Sequence, residues 1–345
     1  MTPDIALSLA QDGLVNGAVY ALLALALVVV FSVTRVIFIP QGEFVAYGGL
    51  TLAALQAGRV PGTFWLLCAT CAAVATTDAI RLVRGHASGA LLHTLLVNIA
   101  YPALMGAILR TVPAAAAPTW FQVALALALV VPLGPAIYRL AYEPLGAAPV
   151  LVLLVVSVAV HLALVSLGLL FFGAEGSRTA AFSEARFQLG PVQIGAQPLY
   201  VVLFSGALMG ALYAFFECTA RGKALRASAM NRTGARLVGI RPGLTGRWSF
   251  ALAALIGAFS GILIAPVTTL YYDTGFLIGL KGFVGAIVGA LASYPLAAAG
   301  ALLVGLIEAF ASFWASAYKE LIVFALIIPV LLWRSLHARR VEEDE

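Results

Sequence analysis

Apolar residues run along this chain in blocks of about 16 to 24 positions, and polar residues gather in the short gaps between them. A helix needs about 20 apolar residues to cross a bilayer. Eleven blocks qualify as candidate spans: 11–33, 42–57, 62–83, 88–110, 119–141, 149–172, 198–218, 248–270, 276–293, 297–316 and 318–335. The second and ninth are short and rich in glycine, a pattern expected of broken or re-entrant helices. Residues 173–197 form the one long polar gap outside the hinge described next. There, alternation in Phe187-Gln188-Leu189 and Val192-Gln193-Ile194 around Gly190-Pro191 predicts a short hairpin. The other extended polar stretch, 219–247, reads as one or two short helices. Good helix formers run from Lys223 to Val238, Asn231 supplies a cap, and Gly239 with Pro242 ends the run. The pattern predicts an all-α polytopic bundle of about eight to eleven spans, a single transmembrane domain over 1–345.

Composition agrees. Of 345 residues 62% are hydrophobic and only 10% charged, with mean hydropathy +1.03; soluble domains carry about a quarter charged residues. The net charge of +5 would suggest nucleic acid in a soluble protein, but here it follows from the bias of cytoplasmic loops toward cations. Seven of the 20 Lys and Arg residues lie in the hinge: Arg221, Lys223, Arg226, Arg232, Arg236, Arg241 and Arg247. Placing the hinge inside and alternating spans puts Arg35, Arg81, Arg84, Arg139, Arg334, Arg339 and Arg340 inside with them. Only Arg59, Arg110, Arg178, Arg186 and Lys319 fall outside, and Lys281 lies within a span. The N-terminus is then external and the C-terminus cytoplasmic. An alternative for the hinge is a basic loop held against anionic lipid. Trp65, Trp120, Tyr200, Trp248, Tyr271, Tyr272, Trp314 and Trp333 fall near predicted span ends, as interfacial aromatics do. The acidic end Glu342–Glu345 reads as a solvated tail.

Ionisable residues inside apolar blocks are the candidates for chemistry, because burying charge in a membrane is costly. They are Glu43, Asp78, His93, His161, Lys281 and Glu308. Glu43, Lys281 and Glu308, with Gly282 and Gly285 beside the lysine, are the candidates for a translocation path; Asp78 and the histidines read as structural. Gly275, Gly279, Gly282, Gly285 and Gly289 crowd one segment, suggesting a bent, mobile span. Pairs at GxxxG spacing (Gly13/Gly17, Gly206/Gly210, Gly257/Gly261, Gly285/Gly289) suit close helix packing. No residues are spaced as metal ligands or as a nucleophile–base constellation, and Cys68 and Cys71 read as small packing residues. There is no GxxxxGK[ST] phosphate loop, so no cofactor and no catalytic residue is expected.

Several stretches together resemble a known family, the shorter, H-type membrane permeases of branched-chain amino acid ABC importers. They are Asn16–Leu22, Gln41-Gly42-Glu43-Phe44, Tyr142-Glu143-Pro144-Leu145, Leu170–Gly173, Gly222–Ala227 with Asn231–Ile240, the Lys281 segment, and Gly305-Leu306-Ile307-Glu308. The resemblance implies a bacterial inner-membrane transport subunit rather than an enzyme. It also implies separate ATPase subunits, an external solute-binding protein and a second, M-type permease as heterodimer partner. The hinge would be the coupling element, with Ala224, Ala227, Ser228, Asn231, Gly234, Ala235 and Gly239 meeting the ATPase. The implied solute is a branched-chain amino acid or a related small polar molecule such as urea, an amide or an aromatic acid. Residues 59–118 are longer than the family pattern, Phe38-Ile39-Pro40-Gln41 departs from its usual lead, and 289–295 holds fewer glycines. An ion-coupled secondary transporter using Glu43, Lys281 and Glu308 is the competing reading.

Overall fold

The first apolar block is hydrophobic on every face, and a helix of that kind belongs in a core rather than at a surface. In a computed structural model it is α1 (Pro3–Thr34), the centre of a helical bundle. The structure describes residues 3–83, 89–146, 148–183, 185–189, 192–332 and 335. Along the chain follow α2 (Glu43–Gln56), α3 (Gly62–Val83), α4 (Gly89–Thr111), α5 (Thr119–Val130), α6 (Leu133–Ile137) and α7 (Val150–Phe172). Beyond the hairpin come α8 (Ala196–Cys218), α9 (Ala220–Met230), α10 (Arg232–Leu237), α11 (Pro242–Ile264), α12 (Thr274–Val288), α13 (Tyr294–Trp314) and α14 (Lys319–Ala325). α1 packs against α8, α11, α12 and α13.

Among the described residues seven helices are long and apolar enough to cross a membrane: α1, α3, the run from α5 to Leu145, α7, α8, α11 and α13. Of the other four apolar blocks, α4 runs 23 residues, and α2, α12 and α14 are shorter. α2 has 14 residues and α12 has 15, roughly 21 and 22 Å at 1.5 Å per residue. The expectation that these two differ from plain spans therefore holds. α12 is one continuous helix from Thr274 to Val288. Its glycines are filled by neighbours: a Cβ at Gly282 would lie 2.7 Å from Leu23 Cβ, and one at Gly285 2.6 Å from Ala301 Cβ.

The hairpin forms at the expected place. β1 (Arg186–Leu189) pairs antiparallel with β2 (Val192–Gly195), Phe187 opposite Ile194; the Gly190-Pro191 turn lies outside the described residues, as do Trp333 and the acidic tail. The loop ahead of it is tied to residues 265–270: Ser177 and Leu270 exchange backbone hydrogen bonds, and Arg178 donates to the Pro266 and Val267 carbonyls.

Candidate functional site

α1 ends at Thr34, where Arg35 turns the chain at φ 61°; Pro40, which lacks a backbone donor, then opens the short turn that leads into α2. Between the two helices lie an irregular stretch and a short 3₁₀ turn, Ile39–Gly42. The break is fastened by aromatics: Phe38 is fully buried, with its ring 4.7 Å from Phe250 and 6.1 Å from Tyr142. Gln41 Nε2 donates to the Ala253 carbonyl at 2.9 Å, and Ala253 is the middle residue of α11. Next along the chain, Glu43 is wholly buried and meets His161, the middle residue of α7. The break therefore sits at mid-depth of two spans. Gly42 lets it close on α12, since a Cβ there would run into the Gly275 carbonyl.

This polar layer is incompletely satisfied. His161 Nδ1 is 3.1 Å from Glu43 Oε1, an ion pair when the imidazole is protonated but without hydrogen-bond alignment. No other described donor reaches either Glu43 oxygen, and Gln41 Oε1 also lacks a partner. Buried polar atoms are nearly always paired, and exceptions cluster where function needs them. The His161 ring stacks on Phe276 of α12, centroids 4.6 Å apart. His161, read from sequence as structural, thus belongs with Glu43. The two lie too far apart in the chain for spacing to reveal the pair.

A second cluster surrounds Lys281, the middle residue of α12. Its Nζ donates to Glu308 Oε1 at 2.6 Å and to Glu320 Oε1 at 3.1 Å, while the Tyr20 hydroxyl donates to Glu308 Oε2 at 2.6 Å. Four helices, α1, α12, α13 and α14, are joined through this one network. The sequence placed Lys281 and Glu308 in the interior; Tyr20 and Glu320 escaped it, because neither is an isolated charge deep in an apolar block. Gly282 and Gly285 lie beside the cluster and seat α12 on α1 and α13.

At the hinge, local signals give local structure. Thr219 Oγ1 caps α9 by accepting from Gly222 N at 2.9 Å, and Asn231 Oδ1 caps α10 by accepting from Gly234 N at 2.8 Å. Gly239, at φ +86°, turns the chain in a left-handed conformation that favours glycine. Two of the residues read as contact positions face inward instead. Ser228 and Ala235 are buried, because Gly222, Leu225 and Ser228 recur at helical spacing and form the face of α9 that packs on the bundle. Ala224, Ala227 and Gly234 are half-buried, whereas Asn231 and Gly239 are exposed. The most exposed large apolar side chains of the hinge are Met230, Leu237 and Val238, at 82%, 85% and 75%.

Of the remaining charges, Asp78 is buried and paired with Arg139, and the His93 side chain lies outside the described set. A helical bundle with seven membrane-length apolar helices among the described residues and ion pairs buried at mid-depth is the architecture of a polytopic membrane protein. Residues 9–331 match the family model for the branched-chain amino acid transport system / permease component, and the chain belongs to that family. Similar curated proteins are all high-affinity branched-chain amino acid transport system permease proteins. BraD of Pseudomonas aeruginosa is 28% identical over 208 residues, 58% of this chain and 68% of that protein. LivH of Salmonella typhimurium is 30% identical over 216 residues, 58% of this chain and 67% of that protein. LivH of Escherichia coli K12 is 34% identical over 140 residues, 39% of this chain and 44% of that protein. No solved structure matches the chain. Membership makes it a multi-pass inner-membrane permease subunit of an ABC importer, a transport component and not an enzyme, working with ATPase and binding-protein partners. The ion-coupled alternative finds no support in these relatives.

Proposed function

We propose that this subunit carries branched-chain aliphatic amino acids inward, in a heterodimer with an M-type permease. The ATPase docks on the hinge, residues 219–247, and the binding protein on the opposite surface around 173–197. The solute assignment rests on what the similar permeases are named for. The docking assignment rests on one observation above others: three large apolar side chains, Met230, Leu237 and Val238, stand bare on a capped helical pair outside the spans. Exposed apolar clusters rimmed by polar residues are what partner surfaces present. The surrounding cations would steer association and add little net affinity. Changing Leu237→Asp and Val238→Asp together should abolish co-purification of the ATPase subunits and stimulated ATP hydrolysis, with the permease still inserted. Unchanged hydrolysis and uptake in that variant would remove the hinge from the docking role.

The path is assigned to the polar layer at the α1–α2 break, with Glu43 as its principal group and the Lys281–Glu308 cluster, flanked by Gly282 and Gly285, as the neighbouring anchor. A carboxylate buried at mid-depth with unsatisfied oxygens costs stability, and such groups mark solute and ion pathways. Glu43→Gln keeps the shape and removes the charge. It should reduce amino acid uptake at least ten-fold while leaving expression and thermal stability equal or improved. Normal uptake would return Glu43 to a structural role.

A further inference from the structure

We propose that the recess where the hinge joins α11 binds the phosphate group of an anionic membrane lipid. Arg221, Leu225, Arg241, Leu244, Thr245 and Trp248 line a cavity of about 280 Å³ there. The charge pattern around it is lopsided. Glu217 is taken up by Arg226 at 2.8 Å, Glu143 by two nitrogens of Arg247, and Asp78 by Arg139. Among the described residues no carboxylate lies within ion-pair distance of Arg221 or Arg241. Two guanidinium groups thus share one cavity without a counter-ion.

Arg221 is also oriented for the task. Its guanidinium carbon sits 4.5 Å from the Trp248 ring centroid. Stacking of this kind fixes the guanidinium plane and leaves its N–H edge free for an oxyanion. Arg241 immediately precedes Pro242, the first residue of α11, so the positive end of that helix dipole reinforces the same spot. The floor decides the source of the phosphate. Leu225 and Leu244 with the indole form an apolar wall beside the cations, and Leu244 is 53% exposed at the start of a membrane-length helix. Free phosphate has no use for such a wall, whereas the glycerol and upper acyl chains of a phospholipid do. The inference requires only that the first turn of α11 lies at the bilayer surface, and it does not depend on which solute is carried.

The test is native mass spectrometry of the purified chain in detergent, with phosphatidylglycerol and phosphatidylcholine of matched acyl chains supplied at equal mole fraction. Phosphatidylglycerol should be retained selectively. Arg221→Gln and Arg241→Gln should each weaken retention about five-fold, the value of one interfacial cation. Lys223→Gln removes the same charge from the hinge outside the recess and should leave retention unchanged. Equal weakening by Lys223→Gln would reduce the effect to diffuse surface charge and overturn the proposal. Undiminished retention in the Arg221→Gln/Arg241→Gln double variant would overturn it as well. Should the double variant fail to fold, undiminished retention in Arg241→Gln alone overturns it equally. Millimolar inorganic phosphate should not raise the unfolding temperature. A rise equal to that from phosphatidylglycerol would make the ligand a soluble phosphate and defeat the lipid assignment. Selective retention that appears only after deletion of residues 341–345 would make the acidic tail the occupant and overturn it too.

Discussion

Lys281 shows how one residue fixes the fate of its neighbours. Its ammonium is the only cation among the described residues that reaches Glu308 or Glu320, at 2.6 and 3.1 Å. Removing it leaves two carboxylates facing each other with Tyr20 as the remaining donor to Glu308. Breaking a buried pair from one side costs about 3–5 kcal/mol, because the surviving charge is left uncompensated. Lys281→Met should therefore lower the unfolding temperature sharply in detergent, and should do so less in a Glu308→Gln background. Glu308→Gln alone should be milder than Lys281→Met, since Glu320 still balances the lysine. Thermal unfolding of the three variants checks this; strictly additive losses would mean that the two residues do not share one network.

At the scale of elements, glycine does two jobs that look alike in sequence. Gly42, Gly261 and Gly275 sit where backbone meets backbone, and a Cβ at Gly42 would strike the Gly275 carbonyl. Gly206 and Gly210 on α8 have nothing within 4 Å of the position a Cβ would take. Gly42→Ala should thus cost about 1–3 kcal/mol from overpacking, while Gly210→Ala, open and inside α8, should be neutral or stabilise by up to about 1 kcal/mol. A comparison of unfolding temperatures separates them, and equal losses would show that the Ile39–Gly42 turn and α12 do not approach so closely. The same contrast marks what sequence can yield. Caps at Thr219 and Asn231, the stop at Gly239 and Pro242, and the hairpin about 190–191 act through neighbours in the chain, and Asn231, Gly239, Pro242 and the hairpin were readable from it. Membrane-length blocks were equally plain, because length and apolarity are local properties. The pairs Glu43–His161, Asp78–Arg139 and Lys281–Glu320 arise only when distant helices pack, and no spacing rule reaches across such gaps. The inward turn of Ser228 and Ala235 was hidden for the same reason: which face of a short helix is covered depends on the bundle beneath it.

For the whole molecule the deciding question is which way up it lies. α8 runs directly from the hairpin to the hinge through 23 residues, about 34 Å at 1.5 Å per residue. That length fills the hydrocarbon layer, so the hairpin and the hinge belong on opposite surfaces. The cation count predicts that the hinge side is cytoplasmic, since Lys and Arg are retained there. A native reporter already exists: Cys218, at the hinge end of α8, is an exposed free thiol, whereas Cys71 is buried and Cys68 half-buried. In intact cells a membrane-impermeant maleimide added outside should leave Cys218 unlabelled, and in inverted vesicles it should react. The converse reporter is Ala185→Cys in a Cys218→Ser background, because Ala185 is exposed just ahead of β1; it should label from outside. Thr233→Cys in that background, exposed within α10, should behave as Cys218 does. The reversed pattern would put the hinge outside, away from any ATPase. It would undo the docking assignment while leaving the fold and both buried ion-pair clusters as they stand.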